Sequence, residues 1–230
     1  MSVNLHKQFA GSQANLRLFK HRCRAYAWLM AKTGSNKPVS AAQEKHGAAV
    51  GLKDQVGGLM KTTVALRREL HKWPEIGNTL PKTREQVLTA LEGLPLDIKL
   101  HETTSGIAAM LTGDKPGPTV MLRGDMDALP MPEDTGLDFS SRTDGCMHAC
   151  GHDTHTSMLV SAAKLLSDRR SEIPGRVLFM FQPGEEGYHG AKFMLEEGLL
   201  DVAKNKDGSE SPITAAYALH ITASMPAGTI

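Results

Sequence analysis

The chain shows no sustained apolar period before the region of Leu59. From there Met60, Val64, Leu66 and Leu70 recur at helical spacing among good helix formers. Pro74 and Gly77 punctuate the end of that helix. Residues 81–91 predict a second helix, with Val87, Leu88 and Leu91 on one side. The period then changes to two. Leu96, Ile98 and Leu100 alternate with Asp97, Lys99 and His101, which predicts a strand with one wet face. Another strand is predicted over 106–111. Past a Gly/Pro turn at 113–118, a short one over 119–122 runs into Arg123, Gly124 and Asp125. Met158, Leu159, Ala162, Ala163, Leu165 and Leu166 form a helical stripe. Residues 176–181 make a compact apolar strand, 191–195 a helix stopped by Gly198, and 213–219 a last strand. Strands alternating with helices predict an α/β sandwich with a largely parallel central sheet.

Charge divides the chain. Residues 1–43 hold seven Lys or Arg and no Asp or Glu. The remaining 187 residues hold the other nineteen basic groups against all twenty-five acidic ones, a formal −6. Such a body does not fit nucleic-acid binding, which needs basic patches against phosphate. Residues 1–58 read as a basic, acid-poor extension and linker without fixed structure, ahead of a catalytic domain over 59–230. Arg17, Lys20, Arg22 and Arg24 interleave with Leu16, Leu18, Phe19 and Tyr26, so an organellar targeting segment is the alternative to a functionless extension. No window offers the ~20 apolar residues of a membrane span. Three cysteines, an odd count, fit a reducing compartment, and the expected location is the cytoplasm.

The run MHACGHDTHT, residues 147–156, changes the picture most. Two of the three cysteines and three of the ten histidines fall between positions 146 and 155. Cys150 and His152 offer a thiolate and an imidazole, both ligands for a zinc-like ion. Further polar sets fall where predicted strands end: Asp125 and Asp127, Glu185 and Glu186, and His220. Ligands of open α/β sheets bind beyond the carboxyl ends of strands, so these sets converge on one rim if the strands are neighbours. Each set alone has a plainer reading, as a turn, a surface pair or a core histidine. Together they are costly to gather without a task. Of two adjacent glutamates, one can ligate an ion while the other takes a proton from water, which is metal-assisted amide hydrolysis. A Cys–His nucleophile would leave the Glu pair idle. No P-loop, GxGxxG or HExxH pattern occurs, and the CxxxC of Cys146 and Cys150 is not a redox CxxC.

In order, RRELHKWPEIG, GDMDALPMPE, GCMHACGHDTHTSMLV, LFMFQPGEEGYHGAKFMLEEG and ALHITASMPAG resemble the aminoacylase-like amidohydrolases of peptidase family M20. The branch is that of hippurate hydrolase and indole-acetyl-amino-acid hydrolase, and the resemblance covers about residues 60–230. It implies a zinc-peptidase-like catalytic domain with two divalent transition ions, Zn, Mn, Ni or Co. In that pattern Cys150 bridges the ions, and His152, Glu186 and His220 are further ligands. Glu185 is the general base, and Asp127 orients the centre. Asp125 stands where other branches carry a histidine ligand. His148, Asp153 and His155 look like groups that line the pocket or hold the ligands in orientation; His71 is expected only to pack beside Trp73. The implied reaction is hydrolysis of N-acyl amino acids, small molecules of hippurate-like or indole-acetyl type, with metal-bound water as nucleophile. No membrane partner is implied. Relatives place a lid domain, often their dimer contact, and a last histidine ligand beyond the point where this chain ends. The catalytic domain is therefore expected to be incomplete at its C-terminus, and hydrolysis by this chain very slow or absent. Gly184 replaces a usual alanine, and Ala223 a frequent proline. The alternatives are a non-enzymatic metal- or partner-binding remnant of the fold and a dipeptidase of the same family.

Overall fold

The computed structural model describes residues 51–203, 211–226 and 228. The basic head, 1–50, lies outside them. Helix α1 spans Leu52–Lys72 and opens on the Gly51 carbonyl, which accepts the N–H groups of Asp54 and Gln55. It starts inside the stretch read as linker, ahead of Leu59. Gly57 and Gly58 suggested a linker, yet both face open space; each costs a helix only about 1 kcal/mol. The stripe predicted on this helix holds only toward its end. Leu70 is buried and Leu66 packs on the core, whereas Met60 and Val64 are exposed.

Helix α2 (Pro81–Leu91) begins with proline, which suits the first helical position because no intrahelical partner is needed for its missing N–H. Strands β1 (Leu96–Leu100), β2 (Ile107–Thr112) and β3 (Lys115–Asp125) follow. Then come α3 (His152–Asp168), β4 (Pro174–Gln182), α4 (Gly190–Glu196) and β5 (Ile213–Ala218). The predicted turn at 113–118 is largely strand, since β3 already starts at Lys115 and absorbs an irregularity before Thr119.

The sheet order is β1-β2-β4-β3-β5. It is mixed, which corrects the expectation of a largely parallel sheet. β3 pairs in parallel with β4 and β5, whereas β2 is antiparallel to both β1 and β4. The reason at the β1 edge is chain length. A parallel pair needs a crossover of about a dozen residues or more, and residues 101–106 cannot supply one. The sandwich itself is as expected. Val177, Phe179 and Phe181 of β4 join Ile107, Ala109 and Leu111 of β2 beneath α2 and α3, with Val87, Leu91, Leu159 and Ala163 above them. The alternate positions, Ala108, Met110, Leu178 and Met180, meet Met194 of α4 on the other face. Burial on both faces explains why β2 and β4 read as continuous apolar runs.

β1 departs from its predicted wet and dry faces. Ile98 and Leu100 are exposed, and Lys99 is half-buried because its ammonium donates to the carbonyls of Glu197 and Gly198 at the end of α4. No helix among the described residues is long and apolar enough to cross a membrane.

Candidate metal centre

The parallel trio β4, β3 and β5 carries its carboxyl ends to one rim: Asp125 pairs with Gln182, and Arg123 with Ala218. Each predicted polar set leaves from that rim. Asp125 ends β3 and Asp127 follows it. Glu185 and Glu186 lie in the turn after β4, and His220 follows β5. The fourth contributor is the N-terminus of α3. The helix starts at His152 itself, so His152, Asp153 and His155 sit in its first turn. Gly151 enters it at φ +87°, a left-handed backbone open to glycine; a Cβ there would stand 2.4 Å from the Ile221 side chain.

His152 is the common vertex. It is fully buried, and its Nε2 lies 3.6 Å from Asp125 Oδ2, 3.7 Å from Glu186 Oε1 and 3.9 Å from Glu185 Oε2. Its Nδ1 faces Asp127 Oδ1 at 3.4 Å. Neither nitrogen has a hydrogen-bond partner among the described residues. Cys150 Sγ is 3.3 Å from His220 Nε2. The other nitrogen of His220, Nδ1, meets the Ile221 carbonyl at 2.6 Å. A carbonyl only accepts, so that nitrogen donates and Nε2 keeps its lone pair toward the thiol. Three overlapping groups have ligand atoms within 4.8 Å of one another: Cys150, His152 and His220; His152, Glu185 and Glu186; Asp125, His152 and His155.

Asp127 shapes the glutamate turn. Its two carboxylate oxygens accept the backbone N–H groups of Glu185 and Glu186, each at 3.0 Å. Both glutamate side chains face the rim, toward His152 Nε2. Asp125 is held from two sides, by Arg123 Nη1 at 2.7 Å and by His155 Nδ1 at 2.6 Å.

The electrostatics follow from this crowd of carboxylates. Burial pushes the Cys150 thiol up, with Glu186 and then the charges of Asp125 and Glu185 adding to it, to about 11. Burial opposes charge on His152, yet the facing carboxylate of Asp127 and the charges of Asp125 and Glu186 prevail and raise it. Burial works against ionisation of Asp125, and His155, His152 and Arg123 hold it below the usual carboxylate range. A buried imidazole nitrogen without a hydrogen bond, faced by carboxylates and near a thiol, fits the donor set of a cation site. Thiolate, imidazole and carboxylate together suit a divalent transition ion.

The supporting histidines divide. His155 reaches the rim through Asp125. Asp153 turns away from it, to Arg67 Nε at 2.9 Å and His71 Nδ1 at 2.6 Å. His71 therefore does more than pack beside Trp73: it bridges Asp153 and Glu133, the latter at 3.2 Å. Arg67, Glu133 and Arg123 were missed in the sequence. Arg67 and His71, four apart on one helix face, were the available signal; Glu133 offered none. His148 is buried, and that burial depresses its ring to about 4; neither nitrogen has a hydrogen-bond partner among the described residues.

A sequence profile described as Peptidase family M20/M25/M40 matches residues 121–230. The chain is 38% identical over 168 residues to N-acetylcysteine deacetylase of Bacillus subtilis (strain 168), covering 73% of this chain and 42% of that protein. It is 36% identical over 180 residues to thermostable carboxypeptidase 1 of Saccharolobus solfataricus, covering 77% and 43%. Among solved structures it superposes on the Bacillus subtilis YXEP protein, a dinuclear metal binding peptidase from the M20 family. The TM-score is 0.66 at 36% identity, over 74% of this chain and 45% of that one. The chain thus spans about two fifths of the length of the curated relatives it matches.

Proposed function

This chain belongs to peptidase family M20/M25/M40, and from that premise we propose that it takes part in metal-dependent hydrolysis of the amide bond of N-acyl amino acids. The observation that carries the reading is His152 Nε2, buried without a hydrogen bond and faced by carboxylates of Asp125, Glu186 and Glu185 at 3.6–3.9 Å. The proposed ligands are Cys150, His152, Glu186 and His220. Divalent ions held there would supply Lewis acidity to an amide carbonyl and to water.

The chain's own residues do the rest. Asp127 faces His152 Nδ1, which keeps the ring turned with Nε2 toward the rim. Through the N–H groups of Glu185 and Glu186, Asp127 also sets the glutamate turn. Glu185, the more exposed of the pair, is the proposed general base: it accepts a proton from the attacking water and returns it to the departing amine nitrogen. Likeness to N-acetylcysteine deacetylase supports an N-acyl amino acid as substrate. Likeness to a thermostable carboxypeptidase favours a second reading, in which the amide is a peptide bond.

Release of amine from N-acetyl, benzoyl and indole-acetyl amino acids and from dipeptides, with zinc, manganese, nickel or cobalt supplied, tests both. The expected result is slow release that stops on chelation and falls further, by at least about 10²-fold, in Glu185→Gln. Release unchanged by chelation or by Glu185→Gln contradicts the proposal, and release from dipeptides alone selects the second reading.

A further inference from the structure

His155 has a setting that neither a ligand nor a packing residue needs. It lies one turn into α3 and is 3% exposed. The backbone N–H of Ile221 meets its Nε2 at 3.0 Å. A backbone amide can only donate, so Nε2 carries the lone pair and the ring proton is on Nδ1. That proton is given to Asp125 Oδ1 at 2.6 Å. Both nitrogens are engaged, and ligation of an ion by His155 would break one of the two bonds.

The two partners belong to different parts of the rim. Asp125 ends β3 and is anchored on its other oxygen by Arg123. Ile221 follows His220 in the turn beyond β5. Packing holds that turn weakly, since His220 and Ile221 are both exposed. Its fixed points include the His155 bond, the contact of His220 Nε2 with Cys150 and the close seating of the Ile221 side chain against Gly151. The rings of His155 and His220 also meet edge to face, with centroids 4.6 Å apart.

We infer that His155 is a positioning residue that spans from Asp125 to the His220–Ile221 turn and so sets where His220 Nε2 stands relative to Cys150. The inference rests on the proposed metal-holding role of His220. It explains why Asp125, His152 and His155 cluster closely without forming a ligand set: His155 holds the neighbouring ligand instead of serving as one.

Two measurements on the full 230-residue chain test this separately from the metal reading. Long-range proton–nitrogen spectra of the metal-free chain, labelled on histidine and assigned with His155→Gln, report the tautomer of His155. The expected form carries the proton on Nδ1; a proton on Nε2 overturns the inference. Zinc titration then compares three chains. Glutamine keeps an N–H for Asp125 and a carbonyl for Ile221, so His155→Gln should bind zinc within about threefold of the unaltered chain. His155→Leu offers neither and should bind at least about tenfold more weakly. Equal weakening in both variants, or none in His155→Leu, overturns the positioning role. An unaltered chain that takes up no zinc contradicts the proposed function, and the tautomer alone then decides the geometry inferred for His155.

Discussion

Cys150 shows how far single residues carry the site. Its thiolate would be repelled by the carboxylates around it, and near neutral pH the metal-free chain keeps that proton, the thiol being pushed up to about 11. A metal ion must displace the proton, because the thiolate is the ligating form. Zinc affinity, measured by competition with a chromophoric chelator, is therefore expected to rise at least about tenfold per pH unit between about pH 6 and 8, the thiol supplying one displaced proton throughout. Cys150→Ser should remove that thiol-dependent slope, and a slope unchanged in the variant would place the zinc elsewhere. This residue was legible in the sequence because cysteine and histidine are rare and crowd into a few positions. Asp127 was legible because it follows a strand end. His71 was not: its partner Asp153 lies 82 positions away, and only the docking of two helices brings them together. The tautomers of His155 and His220 were also illegible, since both are fixed by backbone groups of Ile221.

At the scale of elements, α1 is tied to the rim helix α3 by a charged bridge, Arg67 and His71 to Asp153. Asp153's hydrogen bond raises His71 above its ordinary value of 6.5, against burial and the nearby Arg67, with Asp153's charge and Glu133 adding to the rise. Burial opposes ionisation of Asp153, but His71, His148 and Arg67 hold it below 3.8. The signs differ. The raised pKa of His71 contributes stability that is fully present below about pH 6.5 and lost as pH rises through the folded value. The lowered pKa of Asp153 contributes stability present above its ordinary value and lost as pH falls through the folded one. The bridge is thus strongest between the two. The melting temperature of the metal-free chain should exceed that of His71→Gln most clearly at pH 5–6. The gap should narrow as pH rises through the raised value of His71, whereas a gap that widened would contradict the assignment. Local period located most elements but not their partners. β2 and β4 read as strands buried on both faces, and nothing in their alternation said that they run antiparallel. On β1 the pattern misled, because Lys99 is drawn inward by the carbonyls that end α4.

Across the whole molecule, the mixed sheet matters less to the site than its one parallel trio. β4, β3 and β5 point the same way, so groups 95 positions apart, from Asp125 to His220, meet at one rim. That convergence was legible from the residues at the strand ends, because parallel neighbours deliver their carboxyl ends together. The acidic body and the ring of carboxylates then make a cation at the rim the simplest balance of charge. Cobalt(II) tests this directly, as it absorbs differently when bound by sulfur. The measurement is a titration of the metal-free 230-residue chain with cobalt, followed by the sulfur-to-cobalt charge-transfer band. The expected result is a saturable band that is absent in Cys150→Ser and weakened in His220→Ala. A band that persists in Cys150→Ser, or cobalt uptake without such a band, would contradict a metal centre built on Cys150 and His152.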